Sequence, residues 1–158
     1  MYENILVPTD GSDAATKAAA HGFGLAKWHD ATVHLLYVAE EPPPSAMDET
    51  GVFGDAGVTT FPEDINPVLE EMGSQAVEDL ATLADELNVE AATEVLSGRP
   101  DEAIRRFADE GDVDLIVMGT RERGSVDRLL HRSVTERVLR STTVPVLVVH
   151  TDDEDFED

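Results

Sequence analysis

A chain of 158 residues is long enough for one domain with a full core and too short for two ordinary ones. Its 11 basic residues stand against 34 acidic ones, a net charge of -23, and such a surface repels nucleic acid and anionic membranes. Cysteine is absent, which excludes disulfides, thiolate chemistry and cysteine-based zinc sites.

Disorder is the ordinary expectation for so acidic a chain, but 41% hydrophobic content set in periodic segments argues for a folded core. Lys17 and Lys27 are its only lysines. Excess carboxylate with scarce lysine is the composition of a protein kept soluble in concentrated salt, so the chain reads as halophilic. No apolar run approaches the ~18 residues of a membrane span, and the N-terminal residues lack a signal-peptide pattern. A cytoplasmic protein is expected.

In chain order, Asn4 to Pro8 predicts a first strand, and Ser12 the N-cap of a helix to about Trp28. Ala15, Ala18, Ala19, Gly22 and Ala26 form its inner stripe, small enough to sit close to a sheet. Thr32 to Val38 predicts the second strand. Residues 39–66 are rich in proline, glycine and acid, and predict a long mobile loop. Asn66-Pro67 supplies an N-cap and a proline at the first helical position. The helix that follows is expected to end near Asn88 and to bury Leu69, Met72, Ala76, Leu80, Leu83 and Leu87. Val89 to Leu96 predicts the third strand, and Pro100 opens a helix ended by Gly111 that buries Ala103, Ile104, Phe107 and Ala108.

Leu115-Ile116-Val117-Met118 has no alternation and suits a strand buried on both faces. Gly119 ends it, an arginine-rich loop follows, and Ser133-Val134-Thr135-Glu136 has capping-box spacing, so a helix is expected from Ser133 to about Arg140. Strand, glycine-bearing loop and helix start can together hold an anion, though an ordinary strand-to-helix connection reads the same way. Val144 to Val149 predicts the fifth strand, and residues 151–158 an acidic, disordered tail. Strands alternating with helices imply right-handed crossovers and a parallel sheet covered on both faces. The domain is expected to span residues 1–150.

Ile5-Leu6-Val7-Pro8-Thr9-Asp10-Gly11-Ser12, with MGT, a spaced serine, SVTERVLR and VPVLVV, resembles the universal stress protein family from about Tyr2 to His150. The resemblance implies a Rossmann-like sheet of order 3-2-1-4-5, which reverses between strands 1 and 4 and places a crevice at their carboxyl ends. It also implies a homodimer through the last strand, with Val144, Val146, Leu147, Val148 and Val149 at the interface. On the adenosine side of an ATP or AMP site it implies Pro8, Thr9, Asp10, Val38, Met118 and Gly119, and on the phosphate side Ser133 and Val134. Family members that bind ATP carry Gly, two residues, Gly, nine residues, then Gly-Ser or Gly-Thr. Here Gly119 and Ser133 fit, but Glu122 and Arg132 stand where the second and third glycines belong, and Gly124 falls two residues late.

From the residues alone, Asp10 is equally a loop carboxylate accepting backbone N–H bonds. Val38 and Met118 read first as core. Six arginines fall between Arg121 and Arg140, and the interleaved Glu122, Asp127 and Glu136 favour mutual pairing over anion capture. The five histidines show no metal-ligand spacing, and no nucleophile motif or phosphate loop of another type is present. A receiver domain would want a second acid near the first strand and a lysine after the last. Two readings remain. One is a dimer that acts through protein partners with a vestigial nucleotide pocket, and is no enzyme. The other is an adenine-nucleotide-dependent switch.

The charge balance predicts a melting temperature that rises with KCl into the molar range. The Debye length shrinks from about 10 Å at 0.1 M to about 3 Å at 1 M, which screens self-repulsion. Thermal melts across that range check it, and a flat or falling trend would count against a halophilic protein.

Overall fold

The computed structural model describes residues 2–40, 62–121 and 134–151. Their elements alternate as β1 (Asn4–Thr9), α1 (Asp13–His29), β2 (Thr32–Glu40), α2 (Pro62–Glu86), β3 (Glu90–Gly98), α3 (Pro100–Glu110), β4 (Leu115–Arg121), α4 (134–141) and β5 (Val146–Thr151). All the strands pair in parallel in one sheet of order β3-β2-β1-β4-β5, the expected arrangement. No helix among the described residues is long and apolar enough to cross a membrane.

Alternation along the central strands builds two cores. Ile5, Val7, Val33, Leu35, Leu115 and Val117 face α1 and α2, where Ala18, Ala19, Phe23, Val77, Leu80 and Ala84 cover them. Leu6, Leu36, Ile116 and Met118 face the other way and pack with Ile104 and Ala108 of α3 and Val138 of α4. An unbroken apolar run such as Leu115–Met118 is thus what a sheet covered on both faces requires.

The small-residue stripe of α1 behaves as expected. A Cβ on Gly22 would come within 2.9 Å of Val7 Cγ2, so the helix rests directly on the sheet. Ser12 caps the helix, its Oγ accepting from Ala15 N–H at 3.2 Å, and Asp30 ends it in the left-handed conformation (φ 60°).

Several expectations are corrected. α2 starts at Pro62 rather than after Asn66-Pro67. Pro62 followed by Glu63 and Asp64 has the same proline-first, acid-next signature, and the helix passes Pro67 at the loss of a single N–H bond. Met72 and Leu87 are exposed (55% and 38%), because the inward stripe is Gly73, Val77, Leu80 and Ala84. Tyr37 sets that phase: a Cβ on Gly73 would lie 2.8 Å from the ring Cγ. A glycine is invisible to apolar patterning, so the buried face lies about one residue from the expected one. β1, β2 and β3 each run past their expected ends, and β5 is shifted, beginning at Val146 and including Thr151. Of the expected loop over 39–66, Ala39 belongs to β2 and 62–66 to α2; residues 41–61 and the tail beyond Thr151 lie outside the described residues.

At the amino-terminal edge of the sheet, Asp114 accepts hydrogen bonds from the N–H groups of Glu3 (2.8 Å) and Asn4 (2.9 Å), tying the start of β1 to β4. Those bonds hold its carboxyl below the usual range. His34 is half-buried with Nε2 3.0 Å from Asn4 Oδ1, and burial pushes its pKa down.

The two groups predict two losses of stability on acidification. The unfolded chain protonates His34 first, so its contribution falls from about pH 6.5 down to the folded pKa. Asp114 contributes above its unfolded pKa of about 3.9 and loses that contribution as pH falls through its folded value. His34→Gln should abolish the first difference from wild type in melts across pH, and Asp114→Asn the second while lowering the melting temperature at pH 7.

Candidate functional site

The site begins with a proline in the middle of the sheet. Glu3 C=O accepts from Thr32 N–H (2.9 Å) and Asn4 C=O from Asp114 N–H (2.8 Å), so odd residues of β1 turn their backbone to β2 and even ones to β4. Pro8 falls on the β4 side and has no N–H to give. The β1–β4 register accordingly stops at Leu6↔Ile116, while β1–β2 continues to Thr9↔Tyr37. The split opens the crevice at the topological switch point, where open α/β sheets receive ligands.

Thr9, Asp10, Gly11 and Ser12 form a tightly bonded lip. Gly11 N–H donates to Thr9 Oγ1 (3.0 Å) and Ser12 N–H to Asp10 Oδ1 (2.9 Å), with Gly11 at φ 83°. Thr9 is buried and Asp10 exposed. The loop-carboxylate reading of Asp10 is therefore correct as far as one oxygen goes, and the bond restrains the exposed group. The β1–β2 pairing ends at Thr9↔Tyr37, immediately before Asp10 and Val38 in their strands' direction.

Val38, Met118 and Val134 meet in a single apolar cluster behind this lip. Met118 is buried, and the other two are half-buried. All three belong to the core that α3 and α4 cover. Gly119 also meets a packing demand of its own. A Cβ there would collide with the Ala14 carbonyl oxygen and lie 2.8 Å from its carbon, so glycine is demanded by the first turn of α1. Ser133, Glu122 and Arg132 lie outside the described residues.

On the last strand, Val144 and Val146 pack against the cluster of Leu6 and Ile116, and Val149 against the opposite core. Leu147 is exposed (37%) and Val148 half-buried. Val144 precedes β5 rather than lying in it. Ile116 N–H donates to Pro145 C=O (2.9 Å), so odd residues of this segment face β4 and the N–H groups of Val146 and Val148 point to the open edge. The donor that Pro145 lacks is on the inner side, and the outer edge loses none.

Among the described residues no group of three His, Asp or Glu could hold a metal. Sequence reading also missed a convergence of arginines. Arg99 and Arg105 of the α3 region face Arg137 and Arg140 of α4 across one cleft, and no spacing rule joins residues so far apart.

A single parallel sheet of this order, with helices packed on its faces, defines a Rossmann-like α/β domain. The model of the universal stress protein family matches residues 1–150, and the chain belongs to that family. It is 38% identical over 149 residues to universal stress protein MJ0531 of Methanocaldococcus jannaschii, covering 94% of this chain and 82% of that one. The solved structure of MJ0577 from the same organism superposes with a TM-score of 0.76 at 27% identity, covering 96% and 97% of the two chains. A universal stress protein of Archaeoglobus fulgidus, solved in complex with dAMP, shares the fold with a TM-score of 0.61 at 23% identity, covering 94% and 98%.

The contact of Gly119 with α1 predicts a measurable cost. Gly119→Ala should destabilise by about 1–3 kcal/mol through overpacking. Gly24→Ala, where a Cβ meets nothing within 4 Å, should stabilise α1 by up to about 1 kcal/mol. Denaturant unfolding of both variants checks the pair.

Proposed function

We propose that this universal stress protein works as a homodimeric stress-response regulator that acts through protein contacts, without catalysis, and that its adenine-nucleotide pocket is weak or vestigial. The observation that carries this reading is the uneven state of the site. Its adenosine side has Asp10 restrained by Ser12 N–H, with Val38 and Met118 in the core. Its phosphate side has Glu122 and Arg132 in place of two glycines. The intact adenosine side favours the second reading, a nucleotide-dependent switch. The dAMP held by the A. fulgidus protein belongs to a relative that shares the fold alone, and sets no affinity here. A cytoplasmic, halophilic setting fits the acidic composition.

Two effects compete on the phosphate side. Glu122 repels a triphosphate and Arg132 attracts it, each by roughly 3 kcal/mol at about 6 Å and an effective dielectric near 20. Those terms oppose one another, and molar salt shrinks both. Side chains where glycine admits phosphate, with any forced positive φ costing about 1 kcal/mol or more, are not screened and decide the outcome.

Calorimetry in high salt should therefore give little or no ATP binding by wild type, and a gain in Glu122→Gly/Arg132→Gly. AMP, with one phosphate to place, should bind at least as well as ATP. Micromolar ATP binding by wild type, or no gain in the double variant, would sink the proposal.

The dimer is proposed through β5, whose outward N–H groups and exposed Leu147 invite a two-fold partner using the same strand. Val149 supports its own core and makes a poor probe. Leu147→Asp should give monomer by light scattering with the fold kept, and an unchanged dimer would remove this interface.

A further inference from the structure

We propose that the cleft between α3 and α4 is a binding site for a small phosphate-class oxyanion, separate from the β1–β4 crevice. Its volume is about 270 Å³, and its lining contains Arg99, Arg105, Arg137 and Arg140. A chain of net charge -23 has only 11 basic residues, and four of them converge here from two elements far apart in sequence. Asp101, Glu102 and Ser141 complete the lining, leaving the cleft with two more positive than negative side chains.

The pairing inside the cleft is weak. Arg99 reaches Asp101, and Arg105 reaches Asp109, each at 3.7 Å, beyond good hydrogen-bonding distance. Among the described residues no carboxylate lies within 4 Å of the Arg137 or Arg140 guanidinium. These two sit three residues apart on α4 and line the cleft together, so an anion there meets both guanidinium groups. Ser141 Oγ is turned inward, donating to Arg137 C=O at 2.7 Å, and leaves the recognition to the arginines. Arg99 is itself the N-cap of α3 and offers no side-chain acceptor to the first-turn amides.

The chemistry selects the ligand class. A guanidinium presents two parallel N–H donors that match two oxygens of a phosphate, whereas spherical chloride accepts from one donor direction at a time. Discrimination against chloride is what a site must have in a protein that works in concentrated KCl. The cleft shares α4 with the crevice, where Val134 packs beside Val38 and Met118, but it uses none of the adenosine-side residues.

The test follows arginine Nε–Hε resonances of the full chain while potassium phosphate replaces KCl at constant ionic strength. Arg137 and Arg140 should shift saturably. Arg137→Gln/Arg140→Gln should weaken phosphate at least tenfold, and Arg106→Gln, on α3 but outside the lining, should change it less than twofold. Asp10→Ala should leave phosphate affinity unchanged, which separates this site from the nucleotide reading. Should the glutamine pair fail to fold, Arg137→Lys/Arg140→Lys keeps the charge without the fork and should bind about fivefold more weakly. Equal response to chloride, full affinity in either double variant, or as large a loss in Arg106→Gln would overturn the proposal. Shifts that appear with AMP but not with inorganic phosphate would also overturn it, by assigning the arginines to a nucleotide.

Discussion

The contact between the backbone of Ala14 and the α-carbon of Gly119 fixes the relation between the two ends of this chain. It presses the first turn of α1 onto β4 at the point where β1 has parted from it. Without a hydrogen-bonded ladder beyond Leu6 and Ile116, something else must hold the lips of the crevice at a constant spacing. A backbone-to-backbone contact does so with no side chain able to yield, and close-packed interiors transmit such constraints rather than absorb them. Pro8 opens the gap and Gly119 limits it. Asp10 rides on the lip between them, its carboxylate locked by Ser12 N–H, and inherits its position from both.

The same economy appears in the core. Met118, Val38 and Val134 belong to the cluster that α3 and α4 bury. Removing a large apolar side chain from such a cluster costs about 2–5 kcal/mol, whether or not a ligand ever touches it. A wall made of such core residues is thus maintained by folding itself. Glycines of a phosphate loop have no comparable anchor: their value lies in positive φ or in room for an oxyanion, and both matter only when phosphate is held. By the spacing of the family motif, Glu122 and Arg132 stand at positions of this second kind.

Much of this was legible in the sequence, for identifiable reasons. Strands buried on both faces leave unbroken apolar runs, Ser12 and Gly111 mark helix ends by their chemistry, and the alanine stripe of α1 reads as a close-packed face. The order of the strands came from family resemblance, since apolar patterning carries no information about which strand neighbours which. Two kinds of position escaped. One is the glycine whose meaning depends on its neighbour: Gly73 against Tyr37 shifts the buried stripe of α2, and Gly119, which fits a phosphate-loop motif, is also demanded by α1. The other is the group assembled by the fold. Arg137 and Arg140 share a cleft with Arg99 and Arg105, and no pattern along the chain joins residues so far apart.

The backbone parity of the strands explains how two prolines in a five-stranded sheet have opposite consequences. In parallel pairing each residue directs its amide and carbonyl to one side, and the next residue to the other. Pro8 faces β4, where its missing donor ends a ladder inside the sheet and creates a crevice. Pro145 also faces β4, but at the start of the pairing, where its carbonyl still accepts from Ile116 and the absent N–H interrupts nothing. The outer edge of β5 therefore keeps the donors of Val146 and Val148. An edge strand usually carries a proline or a charge on its free side to block association. Here the proline is turned inward, and the exposed side chains of β5 include Leu147 and His150.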